Sequence, residues 1–232
     1  MLDFPLTCPS YSQLSRRLQG LNIKTPLYQK QHNTQIENND VVALTIDSIG
    51  LKRFGKDEWH QEKHQVSSKR SWRKMHIGSD DRHYIRAMTD KNTMGEAVVG
   101  DICDQISVPV GQVFADKAYD ENTVYDTLES HFPDADIAIP PKKNLIYDEQ
   151  RDHRVRSRAM IEIAAKGQIA WQKKHEYGKR AHGELAMQRY KRTFGNQLHS
   201  RSFNNQKMEM MIACGVLNSF TEMGMPQSYR CA

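Results

Sequence analysis

Three acidic residues lie where a metal-dependent nuclease would place its metal ligands. Asp47 ends the apolar run 41–46, Asp116 ends a second apolar run at 113–115, and Glu184 lies in a stretch of helical character. Mg²⁺ prefers oxygen ligands and keeps several of its waters, so two or three carboxylates suffice to hold it. Two such ions about 4 Å apart can activate an attacking oxygen and stabilise a leaving oxygen in phosphoryl transfer. The three acids therefore predict a two-ion site for Mg²⁺, with Mn²⁺ as an alternative ion.

Two cations and an aromatic residue accompany Glu184. At about 100° per residue of a helix, four residues fall within an arc of roughly 60°, namely Tyr177, Arg180, Glu184 and Lys191. A stripe that faced the core would be apolar, so this face is expected to lie outside the core. An arginine offers bidentate contact to a phosphate and a lysine offers a point charge. Two alternatives stay open: Arg180 and Lys191 as surface charges, and Tyr177 as a half-buried packing residue.

Motifs around these residues resemble one known family. They are Asp47-Ser48-Ile49-Gly50-Leu51-Lys52, Ala115-Asp116-Lys117-Ala118-Tyr119-Asp120 and the spacing Y-(2)-R-(3)-E-(6)-K, which is matched at every position. In this order they resemble bacterial insertion-sequence transposases of the DDE class. Segments 71–76, 139–142 and 224–228 resemble the same family, so the resemblance covers nearly the whole chain.

The resemblance implies an enzyme that cuts and rejoins DNA. It implies that Asp47, Asp116 and Glu184 are the catalytic metal ligands and that the remaining helix-face residues contact DNA, namely Tyr177, Arg180 and Lys191. The expected partners are double-stranded DNA, as element ends and target, and further copies of the chain in a homo-oligomer on DNA. Two other interpretations stay open: a ribonuclease-H-like nuclease without strand transfer, and a truncated, inactive relic or inhibitory fragment.

Several other residues compete for a role in the site. Asp120 lies four positions after Asp116, but Asp116 ends the apolar run directly and is preferred. A two-ion site needs no histidine base, so three histidines are set aside: His76, His175 and His182. Three tryptophans are interpreted as packing residues rather than base-stacking platforms: Trp59, Trp72 and Trp171.

The apolar patterns predict an α/β fold. Strands are predicted at 41–47, 72–77, 84–89, 112–116 and 136–139. Helices are predicted after the capping box at 93–96, at 122–130, around Glu184 and near the C-terminus, where Met208, Met211, Ile212, Gly215 and Leu217 form an apolar stripe. Three strands, then helix, strand, helix, strand and helix are typical of a ribonuclease-H-like mixed sheet flanked by helices.

The same patterns suggest a domain organisation. Residues 1–40 are expected to be a short remnant of an N-terminal helix-turn-helix region with its linker, including one helix at 10–21. Residues 41–222 are expected to form the catalytic domain, with an exposed excursion at 51–70 and room for a small insertion at 141–170. Residues 223–232 would be a C-terminal tail.

Composition limits the class of protein. The 232 residues can bury one sizeable core. Mean hydropathy is −0.75, and no apolar run approaches the roughly 18 residues that a membrane span needs. Four scattered cysteines without a C-x-x-C pair argue against a zinc site or a disulfide scaffold, so a cytoplasmic protein is expected.

Charge is concentrated near the predicted acidic helix. The net charge is +5 over the whole chain, but residues 142–192 contain 14 lysines and arginines against 6 acids. A basic region beside Glu184 fits a DNA backbone that passes the site. A merely solvated basic surface is the alternative.

Overall fold

A mixed five-stranded sheet forms the centre of the molecule. The computed structural model describes residues 9–26, 41–53, 72–90, 96–142 and 154–224. The strands are β1 (Val42–Lys52), β2 (Trp72–Asp80), β3 (Ile85–Thr89), β4 (Val110–Ala115) and β5 (Asp136–Ala138). Their order in the sheet is β3-β2-β1-β4-β5. The first three strands pair antiparallel, whereas β1 with β4 and β4 with β5 pair parallel.

Seven α-helices surround or follow this sheet in the described residues. They are α1 (Tyr11–Gly20), α2 (Glu96–Cys103), α3 (Asn122–His131), α4 (Arg154–Lys166), α5 (Gln168–Lys174), α6 (Ala181–Phe194) and α7 (Phe203–Glu222). Two short 3₁₀ turns lie at Lys117–Tyr119 and Tyr177–Arg180. Among the described helices, none is long and apolar enough to cross a membrane.

The two faces of β1 pack against different helices because successive side chains of a strand alternate between faces. Leu44 and Ile46 belong to a core cluster with residues of α2 and α3. Ile49 and Leu51 belong to a second cluster, with residues of α6 and α7. The sheet is therefore covered by helices on both sides, which confirms the predicted ribonuclease-H-like α/β architecture.

The strand β1 is longer than predicted. Its antiparallel pairing with β2 continues to Lys52, which lies opposite Trp72. Leu51 is completely buried, so the predicted exposed excursion is wrong at its first two positions. Asp47 is consequently inside the strand, although the parallel pairing with β4 ends just before it, at Ile46. The part of the excursion from position 54 to 70 lies outside the described residues, as do the first three residues of the capping box at 93–96.

The outer helices follow the sequence predictions closely. Helix α1 confirms the predicted N-terminal helix, and Ser10 forms a capping box with Gln13 at its start. Asn205 of α7 donates to the Ser15 carbonyl at 3.2 Å, which docks α1 on α7. The predicted apolar stripe of α7 is confirmed at Met208, Met211 and Leu217, which are buried. That residues 1–40 are the remnant of a larger region stays a prediction.

Candidate active site

The two aspartates directly follow a pair of residues on neighbouring parallel strands. The register pairs Ile46 of β1 with Ala115 of β4, so Asp47 is the next residue of β1 and Asp116 is the first residue after β4. Ile46 and Ala115 belong to the same core cluster. Because successive side chains alternate between faces, both carboxylates lie on the opposite face, the one that α6 covers.

Each aspartate is anchored by a backbone amide. Asp47 Oδ1 accepts a hydrogen bond from Ser48 N at 2.8 Å. Asp116 caps the 3₁₀ turn Lys117–Tyr119, and its Oδ1 accepts from Ala118 N at 2.7 Å. These local contacts restrict the rotamers of both carboxylates, as a rigid metal site requires.

Glu184 reaches the same region because α6 lies very close to β1. A Cβ atom at Gly183 would lie 2.5 Å from Thr45 Cγ2 and 3.4 Å from Asp47 Cβ. Only glycine allows this approach, and Glu184 is the next residue. A crevice of about 290 Å³ results, lined by Asp47, Ser48, Ile49, Glu184, Met187, Gln188 and Lys191. The fold thus brings Asp47, Glu184 and Lys191 together, with Asp116 beside Asp47.

The acids influence one another electrostatically. Burial raises the pKa of Asp47 above its ordinary value, and the negative charges of Asp116 and Glu184 raise it further. The amide of Ser48 and the guanidinium of Arg180 act in the opposite direction. A cation placed among the three carboxylates would relieve this repulsion, so the donor set suits a hard divalent ion.

Glu184 is engaged by a cation of its own helical segment. Arg180 Nη1 donates to Glu184 Oε1 one turn away. In this arrangement, no three histidine, cysteine, aspartate or glutamate side chains of the described residues are grouped closely enough to hold a metal ion. The three predicted ligands therefore share one region of the surface without forming a closed ligand set, and their role as ligands stays a prediction.

Tyr177 has a well-defined packing environment. Its ring lies edge-on to Phe114 at 6.3 Å between centroids, and 5.6 Å from Trp171. Its hydroxyl donates to the Ala115 carbonyl at 3.0 Å. Burial raises the pKa of Tyr177 to about 12, so the hydroxyl keeps its proton. These contacts match the packing alternative, and contact between Tyr177 and DNA stays a prediction.

The helical segment differs from the prediction at its start. Residues Tyr177–Arg180 form a 3₁₀ turn, and the α-helix begins at Ala181. Glu176, directly before the turn, has a positive φ of 51°, which breaks the chain direction between α5 and α6. Arg180 is largely shielded, with 23% of its side chain exposed, whereas Glu184 is 60% exposed. Lys191 is also exposed.

The competing acid, Asp120, has a structural environment. Its carboxylate is fully buried and accepts from Arg156 Nε at 2.8 Å, from the Tyr125 hydroxyl at 3.0 Å and from Lys142 N at 2.8 Å. These bonds fix the loop after β4 to α4 and support the choice of Asp116 for the site. No sequence pattern distinguishes Arg156 from the other arginines of this stretch.

The three histidines set aside have different surroundings. His175 contacts Asp136 at 2.8 Å. His182 lines a crevice together with Glu184, and its ring lies 5.2 Å from that of His83. His76 is buried, and its Nδ1 lies 2.9 Å from the hydroxyl of Tyr119. Its strand position opposite Ser48 is the signal that places it near the site.

Of the three tryptophans, Trp171 is buried, Trp72 is 44% exposed, and Trp59 lies outside the described residues.

One comparison with known proteins identifies the family. A family model described as the transposase DDE domain matches residues 40–219. The chain belongs to the transposase DDE domain family. The matched region of this transposase runs from the start of β1 almost to the end of α7, and α1 lies before it. Transposases of this family act on DNA and generally use divalent metal ions. No solved structure was found to match the chain.

Proposed function

We propose that this transposase cuts DNA at the ends of an insertion sequence and joins the freed 3′-hydroxyl to target DNA. The observation that supports the proposal is the position of Asp47 and Asp116 directly after the paired residues Ile46 and Ala115, where Gly183 lets the helix of Glu184 approach β1. Three carboxylates from distant parts of the chain thus share one region of the surface, and Asp47 and Glu184 line an exposed crevice there. A ribonuclease-H-like sheet with this acid set suits in-line phosphoryl transfer.

Asp47, Asp116 and Glu184 would hold two Mg²⁺ ions, with Mn²⁺ as an alternative. Such ions activate an attacking oxygen and stabilise the leaving oxygen. Asp47 and Asp116 are already anchored by backbone amides. Glu184 leaves its ion pair with Arg180 when it turns toward the aspartates.

Arg180 and Lys191 bind phosphates of the DNA in this proposal. Released from Glu184, which lines the crevice, the Arg180 guanidinium would offer two donors to a phosphate. Lys191 lines the crevice further along α6. Tyr177 assists by holding the Ala115 carbonyl, and thereby the backbone that leads to Asp116. The protein would act in the cytoplasm, as a homo-oligomer that brings two element ends together.

The test is strand cleavage and strand transfer on a labelled DNA end with Mg²⁺. Asp116→Asn keeps the shape of the side chain but removes its charge. We expect a loss of about 100-fold or more in both steps, since the loss of one ligand removes several kcal/mol of transition-state stabilisation. Asp134→Asn, at an exposed aspartate before β5, should cut and join normally.

Two results would contradict the proposal. Undiminished cutting by Asp116→Asn would remove this residue from the metal site. Cutting without joining by the unchanged chain would instead favour a ribonuclease-H-like nuclease, because only a transposase joins a 3′-hydroxyl to a second duplex.

A further inference from the structure

A buried polar contact lies beneath the two aspartates. Tyr119 is 1% exposed and His76 is fully buried. The Tyr119 hydroxyl lies 2.9 Å from His76 Nδ1, and hydrogen bonding by the Ser48 side chain acts to lower the pKa of Tyr119. The ring of Tyr119 belongs to the core cluster that includes Ile46 and Ala115. The contact is therefore on the face of the sheet opposite to the carboxylates.

These residues connect the two chain segments that carry the aspartates. Ser48 directly follows Asp47 and lies opposite His76 in the β1–β2 register. Tyr119 ends the 3₁₀ turn that Asp116 caps. The Tyr119 hydroxyl thus ties the turn after β4 to β1 and β2, one residue from Asp47 and three residues from Asp116.

We propose that Tyr119, through Ser48 and His76, is a positioning residue that sets the separation of the Asp47 and Asp116 carboxylates and hence the affinity for divalent ions. The inference rests on the proposed function. Catalytic constellations must be held within about 0.5 Å of the productive geometry. A parallel strand pair that ends at Ile46 and Ala115 does not by itself fix the turn beyond it, and the Tyr119 hydroxyl supplies a direct tie.

The protonation state of Tyr119 suits this role. Burial raises the pKa of Tyr119 well above that of an exposed tyrosine, and the charges of Asp47 and Asp116 raise it further. The hydroxyl therefore remains neutral and keeps its proton for hydrogen bonding. A neutral hydroxyl also adds no negative charge beside the two acids.

The experiment compares two deletions of a buried tyrosine hydroxyl. Tyr119→Phe removes the tie and keeps the ring in the core. Tyr190→Phe is the matched control, because Tyr190 is 3% exposed and lies in the core cluster on the other face of the sheet. Mn²⁺ binding to each full-length protein is measured by the electron paramagnetic resonance signal of the free ion, with and without a DNA end. Thermal unfolding is measured in parallel without metal.

We expect Tyr119→Phe to weaken Mn²⁺ binding by about tenfold or more, the usual effect of removing a partner that orients metal ligands. Its Mg²⁺-dependent cleavage should recover at higher metal concentration. Ser48→Ala, which removes one partner but leaves the backbone amide on Asp47, should give a smaller loss and serves as a second variant if Tyr119→Phe folds poorly. Tyr190→Phe should bind Mn²⁺ as the unchanged protein does.

Distinct results separate failure of this inference from failure of the proposed function. Unchanged Mn²⁺ affinity in both Tyr119→Phe and Ser48→Ala would overturn the positioning role alone. Equal weakening by Tyr190→Phe would do the same, because it would show a general effect of lost stability. An unchanged protein that neither binds Mn²⁺ nor cuts DNA, or an Asp47→Asn variant that binds Mn²⁺ normally, would overturn the proposed function and this inference with it.

Discussion

Gly183 of α6 lies against Thr45 of β1 so closely that a side chain cannot be accommodated between them. A Cβ atom at position 183 would be 2.5 Å from Thr45 Cγ2, far inside the distance at which two carbon atoms make a favourable contact. This approach of a helix to the central strand places Glu184 beside Asp47. The glycine therefore sets the geometry of the candidate site without contributing a chemical group.

Gly183→Ala should move α6 away from β1 and impair the site. The added methyl group meets a β-branched side chain in the sheet, and such overpacking costs about 1–3 kcal/mol. We expect a lower melting temperature and a larger proportional loss of Mg²⁺-dependent cleavage, because Glu184 moves with the helix. Thermal unfolding and single-turnover cleavage of the same preparation measure the two effects.

Gly100→Ala is the control for that substitution. Gly100 also lies inside a helix, α2, but a Cβ atom there would have no atom within 4 Å. Alanine is favoured over glycine in a helix by about 1 kcal/mol, so this variant should be slightly more stable and fully active. If Gly183→Ala behaves in the same way, the close approach of α6 does not position Glu184.

The sheet and its acids were predictable from sequence because they depend on local patterns. Apolar runs mark Val42–Ile46 and Val113–Ala115, and an acid directly follows each run. If the two runs are neighbouring parallel strands, their ends meet at one edge of the sheet, and the two acids are expected there. The tight contact of Gly183 with Thr45 was not predictable, because it depends on residues more than a hundred positions apart. The ion pair between Arg180 and Glu184 lay on the predicted helix face, but whether the arginine serves the glutamate or DNA depends on rotamers.

Other features escaped prediction for similar reasons. The extension of β1 to Lys52 follows from pairing with β2, and pairing partners are not visible in a single strand. The burial of the Asp120 carboxylate depends on its ion pair with Arg156, which lies on α4, 36 positions further along the chain. The contact of His76 with Tyr119 joins residues 43 positions apart, which no local pattern indicates.

Tyr177→Phe should separate two roles of this residue. The change removes the hydrogen bond to the Ala115 carbonyl and keeps the ring contacts with Phe114 and Trp171. A single neutral hydrogen bond contributes about 0.5–1.5 kcal/mol, so the fold should survive. We expect cleavage to fall by about tenfold, the scale of 1.4 kcal/mol in a barrier, with little change in DNA affinity. A large loss of DNA affinity would instead show that the hydroxyl contacts DNA.

The two cations of the helix face should contribute to DNA affinity. The logarithm of the DNA-binding constant falls linearly with the logarithm of salt concentration, and each phosphate contact makes this fall steeper by about 0.9. Arg180→Gln and Lys191→Gln should each weaken DNA binding and make the slope shallower by about 1. Binding titrations at several salt concentrations measure the slope. Arg192→Gln, an exposed cation next to Lys191 but about 100° away around the helix, should leave it unchanged. Equal slopes for all three variants would refute specific phosphate contacts.

Asp47→Asn should stabilise the protein at neutral pH while it abolishes cleavage. Burial, Asp116 and Glu184 raise the pKa of Asp47 in the folded protein. The folded state therefore holds this proton more tightly than the unfolded state, so the contribution to stability is greatest at low pH and is lost as pH rises through the raised pKa. In metal-free buffer at neutral pH the variant should melt about one to a few degrees higher.

That gain in stability should depend on both pH and metal. It should shrink as the pH falls toward the ordinary aspartate value of 3.8, where the carboxyl group is neutral in the unchanged protein too. Mg²⁺ should raise the melting temperature of the unchanged protein, because it binds only the folded state, and should have little effect on Asp47→Asn. A variant less stable than the unchanged protein at neutral pH would contradict the assigned repulsion among the acids.

The buried pair of Asp120 and Arg156 should matter for stability rather than for chemistry. Both side chains are at least nine-tenths buried, and removal of one partner leaves the other charge without compensation, at a cost of about 3–5 kcal/mol. Arg156→Met should therefore lower the unfolding free energy in urea by about that amount. Arg154→Ala is the matched control on the same helix: its partner is Glu129 and its side chain is 70% exposed, so the loss should stay below about 1 kcal/mol. If Arg156→Met unfolds at the same urea concentration as Arg154→Ala, the pair does not hold α4 to the loop after β4.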